Sequence, residues 1–297
     1  MVLHTLNKIA MSSLYDHVSG GFHRYTIDAS WHTPHFEKML YNQSLLSNCY
    51  LEAYSITKNS YYKYILDSTL KFVQSSFQNE AGGFYSSIDA ETNNILGEYY
   101  IWNRVEIRSV LTPKQAQEFF SYFDIEIMQD CAESSINKSG VLFCYNGDIQ
   151  SNYTKLKVIL EKLYKVRTKR KNPNIDVKII TSWHSVMTTT YANAGLILNN
   201  VSYIELAKKS AKFLVENCIN EKNELVHIVG NESREGFAED YVYAVQALLA
   251  IYHVIDDKYW FQIALDLLNK CNSIFLEEDV SYVYSNKTNN VMRLNIS

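Results

Sequence analysis

TSWHSVMTTTYANAGLIL, residues 181–198, runs through the polar pair Asn199-Asn200 into VSYIELAKKSAKFLVENCI, residues 201–219. Helix-period apolar patterns cover 181–198 and 203–219, and so short a connection returns the second helix antiparallel to the first. The arrangement recurs. Residues 35–56, with Phe36, Met39, Leu40, Leu45, Leu46 and Tyr50 at helical spacing, lead through Lys58-Asn59-Ser60 into 61–77. Residues 238–255 and 259–275 meet at Asp256-Asp257, and 2–17 carries one more apolar face through Leu3, Leu6, Ile9, Ala10 and Leu14. Lys71-Phe72-Val73 and Lys212-Phe213-Leu214 follow Tyr62 and Tyr203 at the same spacing. Each hairpin takes about 40 residues, and a helical pair with an apolar side it cannot bury alone must stack in a ring or row.

Composition supports this. Only 10 Gly and 3 Pro occur in 297 residues, too few breakers for an all-β sandwich. With 47% apolar side chains the chain can build a real core, which excludes a disordered protein or a disulfide mini-scaffold. A net charge of -4 gives no basic balance for nucleic acid. The run Lys162, Lys165, Arg167, Lys169, Arg170 and Lys171, ending a helix over 153–171, reads as a solvated helix terminus. Cys49, Cys131, Cys144, Cys218 and Cys271 form no CxxC and read as buried, reduced thiols. With no signal-peptide pattern and no 18-residue apolar run, a cytoplasmic protein without a membrane span is expected. The 23 Tyr, 13 Phe and 4 Trp suit either sugar faces or helix interfaces.

Between the hairpins lie short strand-like segments: GGFHRY at 20–25, GGFYSS at 82–87, ELVHIV at 224–229 and a poorer copy, SYVYS, at 281–285. Thr112-Pro113 and Asn103 with Glu106 are helix starts. Residues 125–150 read as an exposed excursion with a strand at 140–143. Loops gathered at one end of a helical array are where function sits.

The segment GGFHRY at 20–25, with Asp28, Trp31 and PHFEKMLY at 34–41, resembles the thioredoxin-domain-containing, spermatogenesis-associated protein 20-like family. GGFYS at 82–86 with Asp89 and Glu91, EYYIW at 98–102, KIITSW at 178–183, and Gly236-Phe237 with Asp240-Tyr241 match further motifs in order. The resemblance implies an all-α (α/α) toroid of six-hairpin glycosidase type, akin to N-acylglucosamine 2-epimerases, as one domain over 1–297. It also implies departures. The family's thioredoxin-like domain and later helices are expected to be absent, leaving an incomplete ring whose seam exposes Leu3, Leu6 and Ile9 at one edge and Leu268 and Phe275 at the other. Val177 replaces an acid, and His184-Ser185 an Asn-Gly pair.

Two chemistries suit the matched residues. Epimerisation beside a carbonyl needs two groups titrating near neutrality, for which His23, His35 and His184 are candidates. Glycoside hydrolysis needs paired carboxylates, for which Glu37, Asp89, Glu91, Glu239 and Asp240 are available. The expected catalytic set is His23, His35, Glu37, Asp89 and Asp240. Arg24, Tyr41, Glu91, Trp102, Trp183 and Tyr241 are expected to bind substrate. Structural readings stand beside these: an Arg24–Asp28 ion pair, dipole duty for Glu37 and Asp240 at helix starts, and core anchoring by Trp102 and Trp183. No cofactor or metal is expected. A carbohydrate ligand, or a protein partner or second copy across the open ring, is, and nucleic acid and membrane are not. A non-catalytic scaffold or a degenerate fragment is the alternative to an enzyme.

Overall fold

The computed structural model describes residues 1–127, 139–230, 234–277, 281–285 and 295–296. They form two compact units, Met1–Ser76 with Ser87–Asp176, and Phe77–Ser86 with Val177–Ser297. More than half of the described residues are helical, and the widest sheet among them has three strands.

The hairpins follow from two-residue connectors. In the first unit α2 (Leu40–Thr57) turns into α3 (Ser60–Ser76), and in the second α7 (Thr181–Leu198) turns into α8 (Val201–Asn217) and α9 (Ala238–Ile255) into α10 (Lys258–Phe275). The first connector residue ends its helix in the left-handed region: Lys58 at φ 55, Asn199 at φ 51 and Asp256 at φ 51. The second caps the next helix, with Asn59 Oδ1 accepting from Tyr61 N, Asn200 Oδ1 from Ser202 N and Asp257 Oδ1 from Tyr259 N. The chain thus reverses in two residues, and Tyr50, Ile65, Leu66 and Leu70 close the first hairpin's interior while Tyr191, Ala207, Leu214, Leu248 and Ile251 are buried in the second unit. There α7 packs on α8 and α9, and α9 on α10.

The first unit opens with α1 (Val2–Met11), which stops at Ser12 rather than continuing to residue 17. Next come β1 (Tyr25–Thr26), β2 (Pro34–His35) and β3 (Lys38–Met39). The helical spacing read from residue 35 onward is therefore corrected. Burial over 34–41 alternates: Pro34, Phe36, Lys38 and Leu40 are buried, and His35, Glu37, Met39 and Tyr41 are partly exposed. That is strand period. β2 pairs with β1, and β3 pairs with β4 (Ser87–Ile88), which continues to β9 (Ile175–Asp176). Between β4 and β9 lie the hairpin β5 (Glu91–Thr92) and β6 (Ile95–Leu96), α4 (Arg104–Val110), α5 (Pro113–Phe120), β7 (Phe123–Ile127), β8 (Gly140–Cys144) and α6 (Ile149–Arg167). The second unit adds β10 (Tyr282–Val283) and β11 (Asn295–Ile296). Asn103 caps α4, and Thr112 with Gln115 forms a capping box on α5. Residues 139–144 are no exposed excursion, since β8 pairs with β7 and buries Val141 and Leu142; residues 128–138, with Cys131, lie outside the described residues.

Buried charge holds this unit. Asp16, in the loop after α1, accepts Lys38 Nζ at 2.8 Å and both terminal nitrogens of Arg167 at 2.8 and 2.9 Å. All three side chains are buried. The two cations hold the Asp16 carboxyl well below its usual range although burial opposes this, and burial pushes Lys38 down to about 8 against the pull of Asp16. Lys38 also donates to Gly20 O and lies 4.1 Å from the centre of the Phe72 ring. Gly20 is required here: at φ +82, a Cβ would come within 2.6 Å of Ser68 O. The basic run is therefore no uniformly solvated terminus. Arg170 lies over the Trp102 ring at 4.2 Å and donates to Tyr99 O and Ile101 O.

Of the residues assigned to an apolar seam, Leu3 and Leu268 are exposed, whereas Leu6 and Phe275 are buried. Cys144 and Cys218 are buried free thiols, but Cys49 is exposed.

Replacing Asp16 by Ala strands two cations in the interior. The expected cost is about 3–5 kcal/mol, read as a lower urea midpoint with early loss of protease resistance in 1–76 and 87–176. An unchanged midpoint would contradict this account of the core.

Candidate functional site

The strand period over 34–41 gathers candidates on one face. Glu37 Oε2 is 3.0 Å from Arg24 Nη1, so Arg24 pairs with Glu37 and not with Asp28. Arg24 also hydrogen-bonds the Tyr41 side chain, and Tyr41, then Glu37, raises its pKa. His35 stacks on Tyr25, ring centres 4.9 Å apart. Its Nδ1 lies 3.9 Å from Glu37 Oε2, too far for a hydrogen bond, and has no hydrogen-bond partner among the described residues. The register Lys38↔Ile88 and Met39↔Ser87, continued one step, sets Glu37 opposite Asp89, as cross-strand neighbours on one face. Asp89, exposed, is fixed through its own N–H to Asn174 O. Glu91, also exposed, opens the β5–β6 hairpin just beyond. Arg24, His35, Glu37 and Tyr41 thus form one partly exposed polar cluster on the first unit, and the extended β3–β4 register sets Asp89 beside it.

Other candidates have structural positions. His23 is buried and bonded through Nδ1 to Phe36 O at 2.8 Å; burial, then Lys38, pushes its pKa down to about 3. It cannot exchange protons with a substrate it does not reach. Trp102 is fully buried beneath Arg170, leaving no face for a sugar. Tyr241 is buried too, its hydroxyl accepting from Leu225 N.

In the second unit Asp240 is fully buried, and its carboxylate is committed. It accepts Ser182 N at 2.8 Å, Phe237 N at 2.8 Å and His227 Nδ1 at 2.9 Å. It caps the start of α9 and ties it to the start of α7. His227, partly exposed, is a residue the sequence reading passed over; its signal was a lone histidine within the strand-like ELVHIV. Trp183, on the first turn of α7, is partly exposed. His184 is buried, accepting Phe84 N at Nδ1 and bonded through Nε2 to Ser210 O, so it joins the GGFY loop to α8. Burial pushes it down to about 4.

Among the described residues no group of three His, Cys, Asp or Glu could hold a metal ion, and no helix is long and apolar enough to cross a membrane.

Helical hairpins with short strand-paired loops define an (α/α) toroid of the six-hairpin glycosidase-like class. Two solved structures share the fold. A family 76 glycoside hydrolase from Bacteroides thetaiotaomicron matches with a TM-score of 0.54 at 10% identity, over 93% of this chain and 43% of that one. Cellobiose 2-epimerase from Spirochaeta thermophila matches with a TM-score of 0.55 at 8% identity, over 95% and 59%. Such identities show the fold alone. By sequence the chain is similar to spermatogenesis-associated protein 20: 29% identical to the Homo sapiens protein over 318 residues and 27% to that of Mus musculus over 316, each covering 93% of this chain. The resemblance carried by the motifs is thereby borne out. The chain spans about two fifths of the length of these curated relatives. No family model matches it.

Buried neutral histidines make the protein acid-sensitive. His23 and His184 stay uncharged in the folded state down to about 3 and 4, while in the unfolded chain they protonate near 6.5. Their contribution is full above that value and falls as pH drops, by about 1.4 kcal/mol per unit per histidine. Urea midpoints should fall between pH 6.5 and 5, and His184→Asn should make the dependence shallower. A flat profile over that window would refute the assignment.

Proposed function

We propose that the chain is a carbohydrate-acting protein whose first unit binds a saccharide at Arg24, His35, Glu37, Tyr41 and Asp89 and hydrolyses a glycosidic bond there. The observation that carries this reading is the β3–β4 register, Lys38↔Ile88 and Met39↔Ser87, which when extended by one residue brings Glu37 and the exposed Asp89 opposite each other, as the carboxylate pair that such hydrolysis uses. Arg24 orients Glu37, and Tyr41 hydrogen-bonds Arg24. Asp89 protonates the departing glycosidic oxygen, and Glu37, ion-paired with Arg24, supplies the carboxylate that acts on the other side of the anomeric carbon, directly or through water. Water supplies the hydroxyl that ends on that carbon, and its second proton returns to the carboxyl pair. The fold shared with a glycoside hydrolase and a sugar epimerase supports the substrate class.

Epimerisation is a second reading, favoured by the partly exposed His35 ring beside Glu37, whose Nδ1 is itself buried. It lacks a second base, because His23 and His184 are buried.

Purified protein should release new reducing ends from a panel of oligosaccharides. Glu37→Gln and Asp89→Asn should each lower kcat at least about a hundredfold while changing sugar affinity little. An epimerised product with no new reducing ends would move the assignment to His35. Turnover unchanged in both variants would remove the site.

A further inference from the structure

We propose that the cavity beside Trp31 binds a pyranose carrying an anionic group, at a site separate from the carboxylate pair. Asp28 and Trp31 belong to the motif GGFHRY…D..W..PHFEKMLY, and neither takes part in the Arg24–Glu37 cluster. The structure gives them another task. Trp31 sits in the left-handed region at φ 63, a conformation that a bulky residue adopts only when its surroundings impose it. Here they do. The Asp28 carboxylate accepts Ser30 N at 2.8 Å and His32 N at 3.2 Å. On the other side, the Trp31 carbonyl accepts both Ser13 N and Ser13 Oγ, at 3.2 and 3.1 Å. The loop of the β1–β2 hairpin is therefore set, with Trp31 among the residues lining a cavity of about 620 Å³, a volume within the range of small-molecule sites.

The other walls give the ligand's chemistry. His4 and Lys8 come from α1, and Phe143 and Tyr145 from β8 and its end. His32 stacks on Phe143 with ring centres 4.0 Å apart and is tied through Nδ1 to Glu126 at 3.3 Å, so that wall is rigid too. Aromatic walls suit the C–H faces of a pyranose, with its hydroxyls left to polar groups at the rim. Charge narrows the class. Lys8 is exposed and makes no ion pair among the described residues, His4 lies one turn away, and none of the described lining residues is an acid. A cation lining the same cavity as these aromatic residues favours a sugar bearing a carboxylate or a phosphate. The carbohydrate class here comes from the cavity and stands whether or not Glu37 and Asp89 are catalytic.

The test is calorimetry and saturation-transfer NMR on the whole chain with glucuronate, glucose 6-phosphate, glucose and AMP. One or both acidic sugars should bind saturably, roughly tenfold more tightly than glucose; the preferred one identifies carboxylate or phosphate. Trp31→Ala should weaken them roughly three- to tenfold. Lys8→Ala, at an exposed position where folding is not at stake, should bring the acidic sugars down to the affinity of glucose. Glu37→Gln should leave these affinities unchanged, which separates this site from the proposed hydrolytic one. The proposal is overturned if neither acidic sugar binds saturably, if Lys8→Ala leaves the preference for acidic sugars intact, or if AMP binds in their place. Should Trp31→Ala lose its circular-dichroism signature, Lys8→Ala decides alone.

Discussion

The first unit depends on one buried carboxylate. Asp16 is surrounded by Lys38, Arg167 and the N–H groups of Val18 and Ser19, so its lost hydration is replaced by charge-assisted bonds from three stretches of chain. Such a cluster adds little net stability over an apolar core, but breaking it is expensive. Its consequence is orientation. With Lys38 drawn inward, the alternation of burial sends its neighbours Glu37 and Met39 to the other face, and His35 with them, while Tyr41 follows on the first turn of α2. The exposed polar cluster is the other side of the buried ion group. Any function at Glu37 is in this sense built on the buried Asp16.

The second unit solves the same problem at Asp240 without a lysine or arginine among its described partners. Asp240 also loses its hydration, but its partners are the Phe237 N–H at the start of α9, the Ser182 N–H at the start of α7 and the His227 ring. A helix N-terminus supplies the partial positive charge that Lys38 and Arg167 supply to Asp16. His184 works similarly as a neutral ring between Phe84 N and Ser210 O. These groups hold loops in register with helices, and their burial is what keeps them from solvent chemistry.

The α2–α3, α7–α8 and α9–α10 hairpins were legible in the sequence because their determinants are local. A connector such as Asn199-Asn200 needs one residue that tolerates the left-handed region and one that caps, and both preferences belong to the residues themselves. Apolar spacing along α7 and α8 is similarly carried by contiguous chain. The reading failed over 34–41 because Phe36, Met39 and Leu40 fit a helical period as well as a strand period, and the choice fell to pairing with Ser87-Ile88, some fifty residues away. The Arg167 and Arg170 side chains went astray for a related reason. A basic helix end looks solvated unless the position of Asp16 and of Trp102 is known.

The sequence by itself determined the helical hairpins, their turns and the kinship of the motifs, because each rests on residues a few positions apart. It also named Arg24, His35, Glu37, Tyr41 and Asp89, since all lie in matched segments. Tertiary structure alone decided which of the named residues face solvent. His23, Trp102, Tyr241 and Asp240 share those segments but went into the interior, and only the β3–β4 register, extended by one residue, sets Glu37 opposite Asp89. The physical reason is that burial and cross-strand register are properties of distant chain brought together, and no local pattern of side chains carries them.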